Sequence, residues 1–80
     1  MITTSRYASE ETRKLARSMA KESGEQYIPR GKKTIQALAD EARRSGESCL
    51  RIVEEKAKKP AHVAVIRIDE TGQWRWEGAA

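Results

Sequence analysis

The chain has no phenylalanine, one cysteine, one histidine, two prolines and only four aromatic residues: Tyr7, Tyr27, Trp74 and Trp76. Each scarcity excludes something. A lone Cys49 cannot close an internal disulfide, and a zinc site built on cysteines falls with it. The expected state of Cys49 is a buried, inert thiol at the start of an apolar strand. His62 has no sequence-evident orienting or nucleophilic partner, so an ordinary polar residue at the start of a strand is the expectation. No apolar run approaches the ~20 residues of a membrane helix; the longest, Val63 to Ile66, is strand-sized. No charged-then-apolar leader pattern opens the chain. With 80 residues it is one domain, burying only roughly 60–65% of the surface its unfolded form exposes. An intracellular, reduced, non-catalytic domain with no metal and no cofactor is the expectation.

Charge is abundant. Lys plus Arg number 16 against 12 Asp plus Glu, a net charge of +4. The excess is uneven: residues 1–59 hold 14 cations against 9 acids, whereas residues 60–80 hold 2 against 3, together with both tryptophans. A modest basic excess permits a nucleic-acid partner without proving one.

Helical and strand periods alternate along the chain. Ile2, Thr3 and Thr4 form a short β-prone run. Ser9 before Glu10 and Glu11 reads as an N-cap followed by acids in a first turn. Leu15, Ala16, Met19 and Ala20 recur at helical spacing, and Gly24 supplies a stop, so a helix is expected over residues 9–23. Tyr27-Ile28 reads as a second strand ended by Pro29. The turn Pro29 to Thr34 leads into a second helix with Ile35, Leu38, Ala39 and Ala42 on its apolar face, closed by Gly46. Cys49 to Val53 reads as a third strand and Glu54 to Pro60 as a charged loop. Val63 to Ile68 is a fourth strand, Asp69 to Gly72 a hairpin turn, and Trp74 to Glu77 a fifth strand. The expected fold is α/β (α+β): a small mixed sheet of about five strands with two helices, in the order β-α-β-α-β-β-β. Both helices are expected on one face of the sheet, with strand order 2-1-3-4-5.

Four groups of residues could carry function. Arg30, Lys32 and Lys33 flank Gly31 ahead of the second helix, where free N–H groups and mobile cations suit a phosphate; the alternative is a solvated helix start. Gly31-Lys32 is not a P-loop, because Lys33 stands where Ser or Thr is required and Gln26 where a glycine is required. Arg6 follows the first strand, and Arg13, Arg17 and Lys21 share a helix face, either as a phosphate-tracking stripe or as a solvated face balanced by Glu10, Glu22 and Glu25. Lys56, Lys58 and Lys59 crowd one loop, as a contact site or as a solubility device. Trp74 and Trp76 alternate on the last strand, as a stacking platform or, more simply, as core or interface.

Two blocks of sequence carry a resemblance. Thr3-Thr4-Ser5-Arg6, Ser9, Thr12-Arg13 and Ala16-Arg17 give T-T-S-R-x-x-S-x-x-T-R-x-x-A-R, and Tyr27-Ile28-Pro29-Arg30-Gly31-Lys32-Lys33-Thr34-Ile35 follows, with Leu38 beyond it. In this order they resemble the start of archaeal Brix-domain proteins, of the ribosome-biogenesis factor superfamily, over roughly residues 2–45. The resemblance implies a half-Brix-like domain over residues 1–80, similar to an anticodon-binding domain, since a complete Brix domain has two such halves. It further implies a non-catalytic factor that binds ribosomal RNA or its precursor in rRNA processing or subunit assembly. The implied RNA-facing residues are Arg6, Arg13, Arg17, Arg30, Lys32 and Lys33. Ribosome-assembly proteins and a second copy of the chain, meeting through the tryptophan strand, are further candidate partners. The implied location is the cytoplasm of an archaeal-type cell, or the nucleolus of a eukaryotic one. A protein-interaction module using the Trp74/Trp76 face without RNA is the alternative function.

Overall fold

The structure, a computed structural model, describes residues 1–79. Its elements in chain order are β1 (Ile2–Thr4), α1 (Glu10–Ser23), α2 (Ile35–Arg44), β2 (Cys49–Lys56), β3 (Lys59–Ile68) and β4 (Trp74–Ala79). The four strands form one mixed sheet in the order β1-β2-β3-β4, with β1 parallel to β2 and the other pairs antiparallel. The strand expected at Tyr27-Ile28 shrinks to one parallel bridge between Ile2 and Tyr27 on the outer edge of β1. Ile28 donates its N–H to the Ile2 carbonyl at 2.9 Å, and Pro29, which has no N–H, cannot continue the ladder. With that bridge in the second strand's place, the spatial order is the expected one.

Capping sets both helices. The Ser9 hydroxyl accepts from Thr12 N, and Gly24 closes α1 at φ 71, its N–H bonding the Ala20 carbonyl. Thr34 caps α2, accepting from Ala37 N at 3.1 Å. The buried stripe of α1 is Thr12, Ala16 and Ala20, while Leu15 is exposed and Met19 only partly covered. The stripe is thus rotated from the expected one. Small residues let the helix approach the sheet closely, and the buried Thr12 hydroxyl has a partner in Glu55 at 2.6 Å.

The helices lie on opposite faces of the sheet, not on one. Successive strand residues point to opposite sides. Leu50, Ile52, Ala64, Ile66 and Ile68 pack with Leu38, Ala39 and Ala42 of α2, whereas Ile2 and Val53 pack with Ala16 and Ala20 of α1. Chain direction explains the arrangement. The first crossover leaves β1 toward the Tyr27 side, and the second returns past β1 to β2. Two right-handed crossovers running in opposite directions place their helices on opposite faces.

The charged loop expected over residues 54–60 is strand and tight turn instead. β2 runs to Lys56, β3 starts at Lys59, and Ala57 and Lys58 alone connect them, with φ of 55 and 64. Cys49 is half-buried, not buried. Among the described residues, no helix is long and apolar enough to cross a membrane.

Candidate nucleic-acid interface

The parallel pairing of β1, the Tyr27 bridge and β2 sends three chain segments out at the same end of the sheet. These are the turn after β1 (Ser5 to Ala8), the turn Pro29 to Thr34, and the β2-β3 hairpin. The N-termini of α1 and α2 start from the same end. Arg6, Arg13, Arg30, Gly31, Lys32, Lys33, Lys56, Lys58 and Lys59 are thereby brought to one end of the molecule. Sequence reading had treated them as separate groups; the parallel register is what unites them.

Their circumstances differ. Arg6, Lys32, Lys56, Lys58 and Lys59 are exposed, and their side chains have no ion-pair or hydrogen-bond partner among the described residues. Lys33 lies 3.7 Å from Glu41 and donates to the Pro29 carbonyl. Arg13 and Arg17 share Glu10, at 2.9 and 2.8 Å. The hydrogen bond from Arg17 leads in holding the Glu10 carboxyl below its ordinary range, and burial opposes it only in part. The Arg17 guanidinium also sits 6.0 Å from the Tyr27 ring centroid. Arg17, though exposed, is thus held by both Glu10 and Tyr27, and Arg13 by Glu10.

Arg30 is 9% exposed. It donates from Nε to the Lys33 carbonyl at 2.7 Å and from Nη1 to the Thr4 carbonyl at 3.0 Å. Burial and then the nearby Arg6 push its pKa down, and Glu54 offsets this only in part. Arg30 therefore ties the end of β1 to the turn Pro29 to Thr34. Gly31, at φ 53, makes that turn left-handed, which suits a glycine. It lies upstream of the α2 cap, where the Thr34 hydroxyl accepts one of the first N–H groups of the helix, that of Ala37. The cations around Gly31 offer an anion their side chains.

The hairpin tip is unfavourable in itself. Lys56 and Lys59 are paired across the strands, and like charges directly opposite are destabilising. Ala57 and Lys58 adopt left-handed φ without the Asn-Gly chemistry that such a turn favours. The acids nearby are committed elsewhere. Glu55 accepts from Thr12 Oγ1 at 2.6 Å, Ser9 Oγ at 2.7 Å and Ser9 N at 3.0 Å, in that order the reasons its pKa is lowered. Glu54 meets His62 at 2.8 Å.

Between the turn after β1 and the turn Pro29 to Thr34 lies a crevice of about 410 Å³, bounded by Thr4, Ser5, Tyr7, Tyr27, Arg30 and Lys32 among others. Tyr7, which sequence reading passed over, is 79% exposed at φ 57. An aromatic residue directly after a basic one at a strand end was the only available hint.

The tryptophans are elsewhere, on the α2 side of the edge strand β4. Trp74 packs against the α2 core and donates from Nε1 to Gln36 at 2.9 Å. Trp76 is 51% exposed and meets Trp74 edge-to-face, with centroids 6.1 Å apart. The pair does not join the basic end.

Known structures share this architecture. The chain superposes on an archaeal Imp4-like protein, Mil, with a TM-score of 0.76 and 32% identity, covering 92% of this chain and 46% of that one. It superposes on a "probable ribosomal biogenesis protein" from Aeropyrum pernix K1 with a TM-score of 0.81 and 25% identity, covering 96% of this chain and 42% of that one. The structural neighbours are Brix-superfamily-like proteins. The Brix resemblance carried by the two motif blocks thus extends to nearly the whole chain, and the chain spans less than half the length of either neighbour. No family model and no curated protein matches the sequence.

Proposed function

We propose that the chain is a half-length Brix-type factor that binds ribosomal RNA or its precursor during ribosome biogenesis, without catalysing a reaction. The observation that carries this is the gathering at one end of exposed cations without a partner among the described residues: Arg6, Lys32, Lys56, Lys58 and Lys59. Lysines crowded on a strained tip cost stability, and a polyanion is the partner that offsets it. Spaced point charges on three turns contact phosphates, so the RNA is read by backbone and shape more than by base sequence. The ribosome-biogenesis setting rests on the likeness to the two neighbours; the cytoplasm of an archaeal-type cell is the location proposed with it.

Crosslinking the protein to RNA in cells and mapping the sites tests this directly. Enrichment on precursor rRNA is expected; scattered background sites would overturn it. A second reading, protein contact through the β4 edge, is favoured by the exposed Trp76, with assembly proteins or a second copy as partner. It prevails if Trp76→Ala abolishes partner capture while the purified protein shifts no rRNA fragment.

A further inference from the structure

Open α/β sheets bind ligands outside the carboxyl ends of their strands, where the chain's winding direction reverses. Here the reversal is at β1, between the Tyr27 bridge and β2, and the 410 Å³ crevice lies there. Its volume falls within the ~300–1,000 Å³ typical of small-ligand pockets. The crevice differs from the rest of the basic end because it is lined by both tyrosines as well as by Arg13, Arg30 and Lys32.

Tyr7 is the telling residue. A bulky side chain at φ 57 is a backbone outlier, and such outliers persist at functional sites. The residue is 79% exposed, and its side chain makes no hydrogen bond, stacking or cation contact among the described residues. The fold gains nothing evident from that placement. Tyr27, by contrast, is half-buried beside Ile2 and Val53, with Arg17 near its ring. A free aromatic face, an unpartnered lysine and an arginine around one crevice match an unstacked base and its phosphate. Base-aromatic stacking is sequence-tolerant because every base offers a π face.

We infer that this crevice takes a single unstacked nucleotide of single-stranded RNA, its base stacked on Tyr7 and its phosphate met by Lys32 and Arg13. This rests on the RNA-binding reading above and deepens it. The lysine hairpin holds helical backbone, and the crevice selects an adjoining unpaired nucleotide that a duplex cannot present.

The test is fluorescence anisotropy with labelled oligouridine and with a labelled RNA duplex, for wild type, Tyr7→Ala and Tyr7→Phe. Tyr7→Ala is expected to weaken oligouridine binding roughly 5- to 150-fold, the range of one lost stacking contact. Its salt slope should stay unchanged, since no cation is removed; duplex binding should also stay unchanged, and Tyr7→Phe should retain wild-type affinity. Oligouridine carrying 4-thiouridine should photocrosslink to the tryptic peptide 7–13. Equal affinity of wild type and Tyr7→Ala for oligouridine, while both bind duplex, overturns this inference and leaves the RNA-binding reading standing. Equal loss on both RNAs makes Tyr7 merely structural and overturns it too. A wild-type protein that binds neither RNA overturns both.

Discussion

A buried guanidinium with no ion-pair partner among the described residues is costly unless its donors are used. Arg30 uses them on the Thr4 and Lys33 carbonyls, so its first effect is on folding. Arg30→Ala should lower stability by about 1–3 kcal/mol, the cost of orphaning a buried acceptor, read from the urea midpoint. Arg30→Lys should not rescue it, because an ammonium lacks the planar fork that spans two carbonyls. Unchanged stability with lost RNA binding would instead make Arg30 a direct contact. At the opposite end of the molecule, burial pushes the Glu25 carboxyl up, but Arg51, Ser23 and the Met1 amino group outweigh it and hold it at about 2, against an ordinary 4.5. A folded-state pKa below the unfolded one stabilises above the unfolded value and is lost as pH falls through the folded one. Thermal stability should therefore decline between pH 4.5 and about 2. The Glu25→Gln variant should decline less, by about 2 kcal/mol after allowance for partial exposure.

Among the elements, the β2-β3 hairpin is where the proposed function and stability oppose each other. Ala57→Asn with Lys58→Gly supplies the turn chemistry that the backbone requires and should raise stability by about 1 kcal/mol. The same change removes a cation and should lower the salt slope of RNA binding by about 0.7–0.9. A gain in stability with an unchanged salt slope would show that the tip makes no RNA contact. This element also marks where the sequence was opaque. Ala-Lys carries no turn signature, so two strands and a tight turn read as a charged loop, whereas Asp69 to Gly72 was legible because its residues match its turn. Ser9, Gly24 and Gly46 marked helix ends legibly, since capping is local chemistry. The faces of the helices were not legible. An apolar stripe says that a helix packs, but the side it packs on depends on crossover direction, which is a property of the whole chain. For the same reason, the cations of the interface were named from sequence but their convergence was not. Tyr7 went unnoticed because a left-handed φ leaves no mark on residue type.

At the scale of the whole molecule, the +4 charge matters less than its placement. Free cations collect where the strands leave the sheet beside the hairpin, while Arg44 and Arg75 are exposed near the other end. These two supply a control with comparable exposure and the same charge per residue. The most direct measurement is the slope of log affinity for an rRNA fragment against log salt in three proteins. They are wild type, the fourfold variant Lys32→Ala, Lys56→Ala, Lys58→Ala, Lys59→Ala, and the paired variant Arg44→Ala, Arg75→Ala. The account predicts that the fourfold variant loses about 3 from the slope's magnitude, at about 0.7–0.9 per phosphate contact, and that the pair keeps the wild-type slope. Equal slopes in all three, or a loss confined to the pair, would contradict it.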